Sequence, residues 1–202
     1  MSRPRGDHAA RRDEIARVAG RVIASRGLEQ VTLRDVAAAL GVTTGVLTHY
    51  FPSKEALLRH TKDLAFDEAY ARARAAAVSG PPGLARVQAV VLSLLPLDRA
   101  GRLRWRLLVA FFGGAVGSAA LRRSHARRMA RWYALFAEVV TPLAAAGMLP
   151  PSADPRRIAA ALALFVEGVA IHAVVTAPEP SAAWQRAFAR EQVRWLVVGT
   201  GP

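Results

Sequence analysis

Gly41 and Pro52 bracket ten residues, VTTGVLTHYF, with room for fewer than three turns of helix. Glycine at the first position suits the left-handed cap that ends a preceding helix. Proline at the last pushes Phe51 out of the helical region and stops anything running into it. Inside this window Thr43 is placed to cap a helix, Val46, Leu47 and Tyr50 fall on one face, and Thr43, Thr44, Gly45, Thr48 and His49 fall on the other. A helix this short does not stand alone in water, so its neighbours must hold it and leave its polar face outward.

Those neighbours are legible. Ile15, Val18, Ala19, Val22 and Ile23 recur at helical spacing in a helix that begins near Asp7 and stops at Gly27. Thr32 precedes Leu33, Val36, Ala37 and Leu40, with Asp35 three residues on as a short form of the capping box. After Pro52, Ser53 caps a fourth helix whose stripe is Leu57, Leu58, Thr61, Leu64 and Ala65. Two short helices joined by a glycine turn and braced by longer ones form a helix-turn-helix. Such a unit lays its second short helix in the major groove of DNA. The outward face fits that use: Gly45 permits close backbone approach, the threonines offer a hydroxyl and a methyl, and His49 can donate to a base or phosphate.

The formal net charge of +13 suggests a polyanionic partner, but its distribution does not single out the N-terminus. Residues 1 to 54 hold nine Lys and Arg against five Asp and Glu, whereas 98 to 131 hold nine Arg against Asp98 alone. Before and within the first helix, Arg3, Arg5, Arg11 and Arg12 are available to track a phosphate run. Absence of cysteine removes disulfides and thiolate metal sites, and the five histidines lack ligand spacing, so neither metal nor cofactor is expected. No P-loop, GxGxxG after a strand, GxSxG or HExxH supports an enzyme. The N-terminal segment MSRPRGDHAARRDE lacks the apolar core of a signal peptide, and Glu167 and His172 interrupt the most apolar window, Ile158 to Val175. A cytoplasmic chain without a membrane partner is therefore expected.

The run GLEQVTLRDVAAALGVTTGVLTHYFPSKEALL, Gly27 to Leu58, resembles the DNA-binding domain of the TetR family of transcriptional regulators. Its T-hydrophobic-R-x-V-A, G-V-T-x-G-x-L and YF-x-SKE-x-LL signatures stand in order and at the family's spacing. The resemblance implies base contacts at Arg34, Thr44, Gly45, Thr48 and His49, and phosphate contacts at Thr32, Thr43, Tyr50 and Lys54. One departure is Thr48, where the family commonly has Tyr.

Gly80-Pro81-Pro82-Gly83 is the clear linker, and breaks near Pro96 to Asp98, Gly113-Gly114, Gly147 to Pro155 and Ala177 to Ser181 separate five further helices. The expected fold is all-α: a three-helix helix-turn-helix domain at 1–54, then a larger helical ligand-binding and dimerisation domain at 55–202, connected by a helix over about 54–78. The helix from about Arg156 to Thr176 is apolar nearly all round, so Ile158, Leu162, Phe165, Val169 and His172, with Trp184, Phe188 and Trp195 of the last helix, read as a homodimer interface. For a ligand pocket the candidates are Arg102, Trp105, Phe112, His125, Arg128, Trp132, Phe136 and Glu167, with the arginines suited to an anionic effector. The functional expectation is a dimeric repressor released from a pseudo-palindromic double-stranded DNA operator by a small molecule of unknown identity. The alternative is a ligand-independent architectural DNA-binding protein.

Overall fold

The computed structural model describes residues 5–199. Its described residues form nine helices and no strand: α1 (Arg5–Arg26), α2 (Leu33–Leu40), α3 (Thr44–Tyr50), α4 (Lys54–Ala77), α5 (Leu84–Leu94), α6 (Arg99–Gly117), α7 (Ala119–Ala145), α8 (Pro155–Val175) and α9 (Ala182–Val198). They divide into two compact units. The first comprises Met1–Glu68 with Arg106–Gly114, the second Ala69–Trp105 with Ala115–Pro202. The first unit thus reaches further along α4 than the expected 1–54 and recruits a segment of α6.

The caps of the first unit arise from a few neighbouring residues each. At the start of α2 the Thr32 hydroxyl accepts from the Asp35 N–H, and the Asp35 carboxylate accepts from the Thr32 N–H, a reciprocal capping box. At its end Gly41 takes φ 67°, in the left-handed region that side chains with a Cβ avoid. The Gly41 N–H then donates to the Ala38 carbonyl and the Val42 N–H to that of Ala37, a Schellman closure that satisfies the last carbonyls. Thr43 has the extended backbone of a cap but no side-chain hydrogen bond to α3, so the expected threonine cap is a backbone turn only. Ser53 does cap α4 through the Ala56 N–H.

Around these turns the unit closes on Ile15, Ala19 and Ile23 of α1, Val36 and Ala37 of α2, Leu47 of α3 and Phe51 just after it, Leu57 and Ala65 of α4, and Leu107 and Phe111 of α6. Leu47 and Phe51 are fully buried. Val46, expected inward with Leu47 and Tyr50, is instead exposed. At Gly20 of α1 an added Cβ would sit 3.2 Å from Leu107 Cδ2 of α6.

In the second unit α7 packs along α8, and α5 packs on α9, α7 and α8. Val87, Val90, Val91 and Leu94 of α5, Leu135, Phe136, Val139, Val140 and Leu143 of α7, Leu162 and Val166 of α8, and Val193 and Val197 of α9 make the core. Two expectations are corrected here. The break at Gly113-Gly114 does not occur, since α6 runs on to Gly117 and Ser118 caps α7 through the Leu121 N–H. And α8 is long and apolar enough to cross a membrane by length and composition, despite Glu167 and His172. One side of it, with Ile158, Leu162 and Val166, is buried within the second unit, where α8 packs on α7 and α9, while Leu164 and Val175 stay exposed.

Because Leu47 anchors α3 from the centre of the first core, Leu47→Ala should destabilise that unit by about 2–5 kcal/mol. A denaturant titration followed on this unit would show the midpoint falling; an unchanged midpoint would remove Leu47 as the anchor.

Candidate nucleic-acid interface

With Leu47 buried, the helical period of α3 leaves Thr44, Gly45, Thr48 and His49 exposed together, and Thr43 exposed at its start. The Thr48 hydroxyl donates to the Gly45 carbonyl at 3.0 Å, so its proton is engaged within α3 while the side chain stays exposed. His49 meets Tyr50 edge to face, with ring centroids 5.0 Å apart. Tyr50 itself is half-buried against the core.

The other candidates lie on α2 and at the start of α4. Arg34 is exposed and, among the described residues, makes no hydrogen bond or ion pair. Thr32 is committed: its hydroxyl donates to Asp35 Oδ2 at 2.6 Å, while Arg26 Nη1 reaches Asp35 Oδ1 at 2.5 Å. The Thr32 hydroxyl, then the Thr32 N–H, and further the Arg26 charge hold the Asp35 carboxyl below its ordinary range against a smaller opposing effect of burial. Lys54 Nζ donates to the Glu29 carbonyl at 3.2 Å, tying the loop before α2 to the start of α4.

The basic N-terminal residues separate. Arg3 and the side chain of Arg5 lie outside the described residues. Arg11 pairs with Glu14 at 2.6 Å. Arg12 is a structural clamp: Nη1 donates to the Tyr50 carbonyl at 3.1 Å, and its guanidinium sits 4.5 Å from the Phe51 ring centroid. It satisfies the end of α3 just where Pro52 stops the helix.

In the second unit, Trp105 donates its indole N–H to the Leu94 carbonyl at 2.7 Å, and Phe136 is fully buried, so both are core. Arg102 pairs with Glu179 at 3.6 Å, and Arg128 donates to Ser124 at 2.8 Å. Trp132 packs on Tyr70, whose ring Arg131 covers at 4.2 Å. Glu167 is half-buried on α8, and burial raises its carboxyl above the ordinary range, partly offset by His125. Phe112 belongs to the first unit, not with the other pocket candidates. Of the interface candidates, Ile158 and Leu162 are buried within the chain, Phe165, Val169 and Phe188 are half-buried, and His172, Trp184 and Trp195 are exposed. Leu164 (54% exposed) and Val175 (60%) join them, a pair that an all-apolar helix does not reveal in sequence.

This chain matches the bacterial regulatory protein, tetR family, model over residues 14–61 and the BetI-type transcriptional repressor C-terminal model over residues 83–197. The chain belongs to the TetR family. The regulator BetI of Burkholderia thailandensis is 32% identical over 168 residues, 81% of this chain and 82% of that one. The repressor KstR2 of Rhodococcus jostii is 34% identical over 83 residues, 41% of each chain, so the alignment spans less than half the length of that relative. In fold, a protein from Saccharomonospora viridis solved in complex with choline superposes with a TM-score of 0.84 at 22% identity, covering 94% of this chain and 98% of that one. This TetR-family chain is therefore a DNA-binding transcriptional repressor and not an enzyme.

The Asp35 capping network carries a pH dependence whose sign is set by its lowered carboxyl. A depressed folded-state value contributes stability above the ordinary carboxylate range near ~3.9, which is lost as pH falls through the depressed value. Thermal melts of wild type and Asp35→Asn should differ most near neutrality and converge in acid. Parallel curves at every pH would remove the carboxylate charge from the account.

Proposed function

We propose that this TetR-family repressor binds a pseudo-palindromic double-stranded DNA operator as a cytoplasmic homodimer and leaves it when a small cationic effector binds the second unit. The observation that carries the DNA reading is α3 itself, held by Leu47, Phe51 and Arg12 so that Thr44, Gly45, Thr48 and His49 stand out together. Arg34 adds an exposed charge for base edges, and Thr43 and Tyr50 remain the phosphate contacts. Thr32 and Lys54 contribute by shaping the starts of α2 and α4, and reach phosphate only by exchanging the partners described above.

Dimerisation is supported by the second unit's exposed apolar surface. Trp184 is 48% exposed and stacks on Phe188 with centroids 4.9 Å apart, Trp195 is 51% exposed, and Leu164 and Val175 are bare on α8. Large apolar side chains exposed in this number mark an association surface. A two-fold dimer matches half-sites about one helical turn apart, roughly 34 Å, or a multiple of it.

For the effector, Arg102, Arg128 and Arg131 already have partners in Glu179, Ser124 and the Tyr70 ring, which favours a cationic ligand over the anionic one expected from sequence. Glu167 points the same way. A half-buried carboxyl that burial disfavours as an anion gains most from a ligand that brings positive charge. The choline bound to the Saccharomonospora viridis protein is a ligand of that class. Binding that differs between two states of the repressor by a few kcal/mol suffices to release DNA.

Selection from a random DNA pool at about physiological salt tests the operator reading. Wild type should enrich a palindrome, and the Thr44→Ala, His49→Ala double variant should lose or change it. Binding that merely fades with salt and enriches nothing would favour the architectural alternative, which reads phosphate charge alone.

Choline, used as a probe in a thermal-shift assay, should stabilise wild type more as pH rises through the raised Glu167 value, because the cation needs the carboxylate. Glu167→Gln should abolish that shift, and a shift that survives the substitution would sink the assignment.

A further inference from the structure

Two residues one turn apart on α1, His8 and Arg12, face the same three consecutive residues at the end of α3. Arg12 holds the Tyr50 carbonyl and the Phe51 ring. His8 holds the two rings before it: its centroid lies 4.9 Å from that of Tyr50, tilted by 35°, and 6.1 Å from that of His49, edge to face at 76°. His49 and Tyr50 complete a three-ring cluster through their own edge-to-face contact. An i, i+4 pair on one helix presents one face, so the two α1 side chains act on α3 as adjacent parts of a single grip.

We infer that His8 is a positioning residue for DNA reading, holding the His49 imidazole in one orientation through the shared contact with Tyr50. This rests on the reading that the exposed face of α3 meets base edges. An exposed histidine rotates about two side-chain bonds, and fixing it only when DNA arrives costs entropy that weakens the complex. Where a ring from α1 already restricts it, that cost falls before binding, and only one orientation of its N–H groups is offered to the base. His8 is itself exposed, so the cluster forms at the protein surface, with the half-buried Tyr50 linking it to the core.

The experiment combines a spectrum of the free protein with a double-mutant cycle on DNA. In the free protein, His8→Ala should shift and sharpen the His49 imidazole resonances as the ring gains freedom, whereas His8→Phe, which retains a flat ring, should leave them near wild type. On the operator selected by wild type, His8→Ala should cost about threefold or more in affinity and relax the base preference that His49→Ala also relaxes. In the His49→Ala background the same change should cost nothing, and His8→Phe should restore both affinity and preference. Thermal melts of each variant separate loss of fold from loss of orientation.

Unchanged His49 resonances in His8→Ala would overturn the inference whether or not an operator is found. So would additive effects of His8→Ala and His49→Ala, or a uniform weakening on all sequences with a shallower salt dependence, which marks His8 as a phosphate contact. If wild type selects no operator while the resonances shift as expected, the DNA reading of α3 fails and the ring contact stands.

Discussion

Everything the first unit offers to DNA depends on the burial of Leu47 and Phe51 at either side of the last turn of α3. A helix of seven residues has too few internal hydrogen bonds to hold itself. Its order comes from two side chains sunk into a core shared by α1, α2, α4 and a segment of α6. Pro52 prevents the chain from continuing, the Phe51 N–H closes on the Leu47 carbonyl at 2.8 Å, and the orphan carbonyl of Tyr50 finds Arg12. The outward residues are therefore presented by a rigid frame although they make few contacts of their own.

Polar groups in this frame are used before DNA arrives. Thr32, Asp35 and Arg26 form one network at the start of α2, and Lys54 reaches back to Glu29. Such groups hold the geometry of the reading surface more than they read. A family motif records both kinds of residue with equal weight, since losing a brace and losing a contact weaken DNA binding alike. The structure distinguishes them by asking which hydrogen-bonding groups are already satisfied.

In the second unit, charge follows a similar logic with a different result. Arg102, Arg128 and Arg131 find a carboxylate in Glu179, a hydroxyl in Ser124 and an aromatic ring in Tyr70. Glu167 is a carboxyl whose burial disfavours the charge and which His125 compensates only in part. A carboxyl under this pressure is shifted toward its protonated form.

The chain itself determined where α2 and α4 begin, where α2 and α3 end, and that Leu47 turns inward, although not that Val46 stays exposed beside the polar residues of α3. Thr32 with Asp35, Gly41, Pro52 and Ser53 act through backbone groups only a few residues away, and the alternation around Leu47 follows from the helical period. Local rules failed where the outcome depended on a partner. Arg12 reads as one more basic residue near the terminus until Tyr50, 38 residues later, is placed beside it. Gly113-Gly114 reads as a break, yet α6 continues through it, with Leu107 and Phe111 earlier in the same helix filling a core built from the N-terminus. On α8, apolar residues on every side conceal that Ile158 and Leu162 turn inward while Leu164 and Val175 remain bare. Periodicity states which residues are apolar and on which face; only tertiary packing decides which face is covered, because that depends on surfaces brought from distant parts of the chain.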